Sequence, residues 1–247
     1  MSRSGVCPYS AKMLQRLSKL WDTFRRDGIY STIQRVCASG AVPQKLFYLG
    51  HARIFVLDRF NEKAVARKLN DYTIQRADAS ALEAIVNCSQ EQNPEKLRKV
   101  FRGFFDAGHL CYLATHTRDG VVAYNWAFRH EYTLTFDEYK SKNVAIELSE
   151  DCVFCGNGFI ANTHRLKGIF AHLAHHRIQS FPEQSCFYVS VSDINTGSLN
   201  ANRRLGYREL CSVICIGIFG LNLFLRLSDR LPYWWSFGRA NLHMRLK

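Results

Sequence analysis

The sequence predicts an α/β fold, and three observations carry that expectation. Between residues 159 and 207 a short apolar run, a polar turn, a helix, a buried-type strand and a second helix follow one another as a continuous βαβα unit. Upstream, residues 79–89 and 94–107 repeat apolar side chains at helical spacing, the second with Leu97, Val100, Phe101, Phe104 and Phe105 on one face. Between these blocks, residues 109–114 and 121–128 flank an Asp119-Gly120 turn and read as a β-hairpin.

Taken from the start, the chain of 247 residues is long enough for one core of ordinary size plus an extension. Residues 12–26 place Met13, Leu14, Leu17, Leu20, Trp21 and Phe24 on one helical face and Lys12, Arg16, Lys19, Arg25 and Arg26 on the other. Residues 1–70 hold thirteen Lys and Arg against four Asp and Glu, so +9 of the total formal charge of +12 lies there. Two readings of this basic extension stay open: a stripe that lies on an anionic membrane surface, or one that packs on the rest of the protein. A second short helix is expected at residues 30–37, and a strand at Arg53-Ile54-Phe55-Val56-Leu57, before a charged connection over residues 61–70.

From residue 71 the pattern tightens. Residues 72–77 alternate as a strand, and Asp78 is placed to cap the helix after it. Pro94 opens the next helix and Gly108 closes it. Residues 133–136 and 143–148 read as short strands around a polar loop at 137–142, and residues 153–161 as the central strand that leads into the polar turn. After Tyr207, the first part of residues 210–225 suits a last sheet strand. The remainder of the chain, with Leu231-Pro232-Tyr233-Trp234-Trp235 beside Arg226, Arg230 and Arg239, reads as an apolar and aromatic tail that either meets a membrane interface or covers the sheet. The division expected is therefore a helical extension at 1–70, a main domain at 71–217 and a tail at 218–247.

Several chemistries are set aside by pattern. Nine cysteines, an odd number at irregular spacing, make no disulfide framework and suit a reducing compartment. Cys152-x-x-Cys155 has no second pair, and His172, His175 and His176 lack the Glu of a zincin helix, so no metal is expected. Residues 1–10 lack the apolar core of a signal peptide, and no run is long enough to span a bilayer, which points to a cytoplasmic chain with peripheral membrane contact as its alternative. The positive charge comes with no recognised nucleic-acid motif, so no nucleic acid is expected as partner.

The polar turn is where chemistry is expected. Arg165 and Lys167 supply positive charge, Gly168 permits close backbone approach, and the helix beginning at Ile169 and Phe170 offers free N–H groups to an anion of diphosphate size. Arg165-Leu166-Lys167-Gly168-Ile169, with Asn195, Ser198 and Leu205-Gly206-Tyr207 downstream of it, resembles the signature of the GNAT superfamily of acyl-CoA-dependent N-acyltransferases. The resemblance spans roughly residues 72–217. It implies a mixed, mostly antiparallel central sheet flanked by helices. It also implies acetyl-CoA or another acyl-CoA as cosubstrate, and a small-molecule amine as acceptor in a direct transfer.

By the same resemblance, the backbone of Phe159, Ile160 and Ala161 pairs with the pantetheine arm. Arg165, Leu166, Lys167, Gly168, Ile169 and Phe170 hold the diphosphate, and Asn195, Ser198 and Asn202 touch the arm; capping of the second helix alone is the other reading of Asn195 and Ser198, because both residue types favour that position. Phe170 replaces the usual small residue of the loop. Asn202 stands where many relatives carry the Tyr that protonates the thiolate, and Asn157 about where a Glu base is usual. Asn157 is then left to position substrate or water, and Glu147, upstream with Glu150 and Asp151, to act through a water. The architecture before the domain resembles bacterial members associated with cell-envelope polysaccharide, which implies an amino sugar or other envelope amine as acceptor. The rival reading is a non-catalytic acyl-CoA-binding module of the same fold, acting at a membrane surface.

Overall fold

The computed structural model describes residues 25, 28–89, 93–136, 142–182, 185–227, 234–237 and 242–246. Apart from Arg25, the amphipathic stretch expected at 12–26 lies outside them. So do residues 137–141 of the polar loop, and Arg230, Leu231, Pro232, Tyr233 and Arg239 of the tail.

A helix over residues 28–38 (α1) leads to the long strand β1, Phe47–Leu57. Then come β2 (Tyr72–Ala77), α2 (Leu82–Ser89), α3 (Pro94–Asp106), β3 (Leu110–His116), β4 (Gly120–Phe128), β5 (Glu131–Thr135) and β6 (Asn143–Leu148). The second half of the chain forms β7 (Cys152–Ile160), α4 (Ile169–Gln179), β8 (Cys186–Ser192), α5 (Thr196–Arg204), β9 (Tyr207–Ile218), β10 (Leu221–Leu227), β11 (Trp234–Phe237) and β12 (Leu242–Leu246). The expected boundaries hold where local chemistry sets them. The Asp78 side chain accepts from Ser80 N–H at 2.9 Å, and that of Asn93 from Lys96 N–H at 3.0 Å, capping the helix that opens at Pro94.

Nine strands form the main sheet in the order β11-β10-β9-β1-β8-β7-β4-β3-β2, and β12-β6-β5 form a second sheet. Every pair in the main sheet is antiparallel except β7 with β8. Side chains alternate between two cores, as period two demands. Trp126, Phe154, Tyr188 and Ile54 point to the face covered by α2, α3 and the second sheet. Val153, Cys155, Val189 and Phe55 point to the face covered by α4 and α5. The two cysteines of the Cys-x-x-Cys run therefore lie on opposite faces of the sheet.

The placement of β1 differs from what the sequence suggested. It runs between β8 and β9, antiparallel to both, so the sheet crosses the boundary drawn at residue 70. Gly206 makes room for the chain leaving β1. It sits at φ 99°, and a Cβ there would lie 1.9 Å from the Arg59 carbonyl oxygen. Asn61 N–H and side-chain amide donate to the Leu205 and Arg204 carbonyls at 3.0 and 2.9 Å, locking this crossing. Beyond residue 217 the chain also departs from a simple tail: β9 and β10 form a hairpin around Phe219-Gly220, both at positive φ, and β11 adds to its edge. No helix among the described residues is long and apolar enough to cross a membrane.

Candidate functional site

The site is built on a fork. Strands β7 and β8 pair in parallel over only four residues, from Cys152–Cys186 to Cys155–Val189. Past that point each keeps only its outer neighbour. β7 stays with β4 through Phe159–Tyr124 and Ile160–Ala123, and β8 with β1 through Ser190–Ile54 to Ser192–Ala52. The parting begins at Gly156-Asn157-Gly158, where β7 slips register against β4 and Asn157 takes φ 46°. Two backbone edges thus face an open wedge, and unpaired N–H and C=O groups there seek an extended partner.

Within the wedge the three expected backbone partners are not equivalent. Ala161 N–H donates to the Val122 carbonyl at 2.9 Å while its own carbonyl accepts from His164 N–H at 2.9 Å, and Phe159, two residues back, pairs with Tyr124 of β4. Ile160, between them, turns to the open side, where its carbonyl accepts from Arg165 Nε at 3.2 Å. Asn157 is exposed at the bulge. Glu147 stands exposed on β6, outside the strand pair that forms the fork.

The expected anion loop comes directly after β7. Leu166 has φ 62° and a fully exposed side chain, and Gly168 has φ 88° as the residue before α4. Left-handed backbone at Leu166 and at Gly168, the latter directly before the helical Ile169, bends the chain into a turn of the kind whose N–H groups can receive an anion. Among the described residues, the N–H groups of residues 166–170 donate to no backbone carbonyl, while α4 begins its own ladder with Ala171 N–H to Gly168 C=O at 3.0 Å. The positive end of α4 adds to this field, together with Lys167 and the terminal nitrogens of Arg165. Phe170 is partly buried against the core on the α4 side, so its bulk is turned from the loop.

At α5 the geometry is that of a capped helix. Asn195 Oδ1 accepts from Ser198 N–H at 3.1 Å, and buried Asn202 donates through Nδ2 to the Ser198 carbonyl at 2.8 Å. These contacts satisfy part of each side chain inside the helix.

Several residues around the fork escaped the sequence reading. Tyr132, from β5, stacks on Phe154 with ring centroids 4.0 Å apart, and its hydroxyl comes within 3.1 Å of where a Cβ on Gly156 would stand. Ser190 faces the same hydroxyl from the other arm, and burial pushes the Tyr132 phenol up. Arg177 of α4 is buried and donates to Asn125 Oδ1, and Asn125 Nδ2 reaches the Gly156 carbonyl at 3.4 Å. The other terminal nitrogen of Arg177 is 3.4 Å from Tyr207 Oη. An arginine on the apolar face of a helix was the available signal. Cys155 lies in this buried group, and burial pushes its thiol up although Arg177 pulls it down. The three helix histidines serve packing: His172 meets the Arg67 carbonyl at 2.8 Å, His175 pairs with Glu62 at 3.2 Å, and the His176 ring packs edge-on to Tyr112.

No family model matches the chain, and no curated protein matches it. Solved structures do. An acetyltransferase of the GNAT family from Colwellia psychrerythraea aligns at 15% identity and a TM-score of 0.45, over 68% of this chain and 55% of that one, so the present chain spans about half of that protein. A tandem GNAT protein from the clavulanic acid biosynthesis pathway aligns at 13% and 0.48, over 76% and 54%. The AAC(6')-Iy structure, in complex with a bisubstrate analogue of CoA and acetylneamine, aligns at 18% and 0.40, over 56% and 91%. GNAT-family acetyltransferases are thus among the solved structures that this chain resembles.

Proposed function

We propose that the chain is an acyl-CoA-dependent N-acyltransferase of the GNAT type, transferring an acetyl or other acyl group to a small-molecule amine in a ternary complex. The observation that supports this best is the fork that opens after Cys155–Val189 and runs straight into the loop at 165–170. An extended arm ending in a diphosphate fits that combination: a strand edge for the arm, and a ring of N–H groups for the charge.

In this reading the N–H groups of residues 166–170 hold the diphosphate, with Arg165 and Lys167 as counter-charges, and Ile160 pairs with the arm. The Gly156-Asn157-Gly158 bulge presents backbone donors to a developing oxyanion. Asn157 orients the incoming amine or a water that takes its proton, with Glu147 as the carboxylate that such a water relays to. Tyr132, kept protonated by burial, donates to the departing sulfur, the role that Asn202 does not have the chemistry to fill. The raised Cys155 thiol is no nucleophile at neutral pH, which favours direct transfer. An amino sugar or another cell-envelope precursor is the acceptor proposed, in the cytoplasm and with the basic extension against an anionic membrane. The non-catalytic alternative draws its support from Asn202, whose amide is tied to the Ser198 carbonyl.

Titration calorimetry with acetyl-CoA tests the grip. Gly168→Asp places a carboxylate in the N–H cradle and should weaken binding about 100-fold, the cost of losing charge-assisted hydrogen bonds. Equal affinity in the two proteins would remove the loop from cofactor binding. Release of free thiol on addition of amines then separates the enzyme from the binding module.

A further inference from the structure

A cleft of about 630 Å³ opens between α2, the β3–β4 hairpin and the loop after β7, and at its wall three side chains from distant parts of the sequence converge. His116 ends β3, Asp119 lies in the hairpin turn, and His164 lies in the loop after β7. A single carboxylate oxygen, Asp119 Oδ2, is 2.7 Å from His116 Nδ1 and 3.2 Å from His164 Nε2. All three ligand atoms lie within 4.8 Å of one another.

We propose that His116, Asp119 and His164 form a binding site for a first-row divalent cation of the zinc(II) type. The donor set is two imidazoles and a carboxylate, the composition of a three-ligand site with a position left open. Metal–ligand bonds of about 2.0–2.1 Å place neighbouring tetrahedral ligands about 3.3 Å apart. Of the two edges that meet at Asp119 Oδ2, the 3.2 Å one matches that spacing and the 2.7 Å one is shorter than it, so a modest outward movement of His116 or Asp119 would admit the ion.

Hydrogen bonding alone leaves this cluster incomplete. His116 Nδ1 is buried and has no hydrogen-bond partner, although the carboxylate is so close: the approach is off the direction of a ring N–H. An ion between the groups would satisfy the ring nitrogen along its lone pair. His164 is prepared for the same role. Its Nδ1 is 2.9 Å from Tyr72 Oη, which holds the ring and leaves Nε2 to face Asp119, the arrangement in which an outer partner fixes a ligating histidine. The Tyr72 ring also packs on both histidines, with centroids at 4.9 and 5.7 Å. The two imidazoles are largely buried, at 16% and 6% side-chain exposure, while Asp119 at 54% leaves the open side to the cleft. Such an ion would tie the β3–β4 hairpin to the loop that carries the anion cradle.

The test uses the full chain after chelator treatment, titrated with zinc(II) by calorimetry and with cobalt(II) by absorption. One equivalent should bind, with a cobalt spectrum of nitrogen and oxygen ligation. His116→Ala and His164→Ala should abolish binding. Tyr72→Phe, which keeps the ring packing, should weaken it roughly 10-fold, as loss of an outer-sphere partner does. Circular dichroism of each variant establishes that it is folded, and Tyr72→Phe carries the test where the alanine variants are not. No binding by the wild type, or unchanged affinity in folded His116→Ala, would overturn the proposal. So would a sulfur-to-cobalt charge-transfer band, which would put the ion at Asp151, Cys152 and Cys186, another trio whose ligand atoms lie this close. The readout is metal binding itself, so its outcome is independent of whether acyl-CoA binds.

Discussion

The two halves of β7 have opposite constructions. Cys152 to Cys155 are all buried, laddered to β8 on one side, and alternate between the two cores. Gly156 to Ile160 are partly or fully exposed, paired on one side only, and broken by a bulge. The first half is apolar and holds the sheet together. In the second half, Gly156 and Gly158 bring no side chain to pack and Asn157 takes left-handed backbone, at the point where pairing with β8 ends. The contrast teaches that an open strand edge in the middle of a sheet requires a firmly packed apex beside it, because unpaired backbone gives up hydrogen bonds that packing must offset.

The sharpest way to break the comparison is to hollow out the apex. Phe154 is fully buried and stacked on Tyr132. Phe154→Ala should cost about 3–5 kcal/mol in denaturant unfolding, as deletion of a buried aromatic does. A loss below about 1 kcal/mol, the level of a surface change, would mean the apex does not anchor the fork.

In the open half the same kind of change should matter far less to stability. Asn157 at φ 46° tolerates the left-handed backbone that a β-branched residue does not. Asn157→Val should cost about 1–2 kcal/mol and Asn157→Gly only a few tenths. If Asn157 orients the amine, Asn157→Gly should still lower turnover with acyl-CoA affinity unchanged. A glycine variant with full turnover would confine Asn157 to backbone shape.

The smallest expected effect comes from pH. Burial is the main cause that holds the imidazoles of His51 and His109 below their ordinary value, against the opposing pull of Asp193 and Glu131 respectively. The folded chain therefore binds fewer protons than the unfolded chain just below pH ~6.5, so this stability is complete above that pH and is lost as pH falls further. His51 faces Asp193 at 3.4 Å just beyond β8. Lowering pH from about 7.5 to about 5.5, across the ordinary histidine range, should lower the melting temperature, less so in His51→Gln. Hydrogen exchange should quicken at residues 190–193 before it does at 152–155. Stability that rises on acidification would contradict this sign.

How much was legible beforehand depends on the range over which each feature is encoded. The loop at 165–170, the caps at Asp78 and Asn195, the β3–β4 hairpin and the βαβα order are written in stretches of about ten residues, where turn chemistry and periodicity act directly. The resemblance singled out Gly206 by its place in a motif, and in the fold Gly206 answers to Arg59, a residue far away in the sequence. Strands at 53–57 and in the first part of 210–225 were recognisable as strands, but not as central neighbours: β1 and β9 pair along the whole of β1 only because the chain folds back across the sheet.

Sequence by itself determined most of the elements up to residue 217, the turn at 165–170 and the apolar faces available for packing. Tertiary structure alone decided the rest. It inserted β1 between β8 and β9, ended the β7–β8 ladder after four pairs, buried Arg177 against Asn125, and gathered His116, Asp119 and His164 beside Tyr72. The reason is physical: propensity and capping are sums over near neighbours, whereas strand order and side-chain convergence depend on which distant surfaces bury each other best.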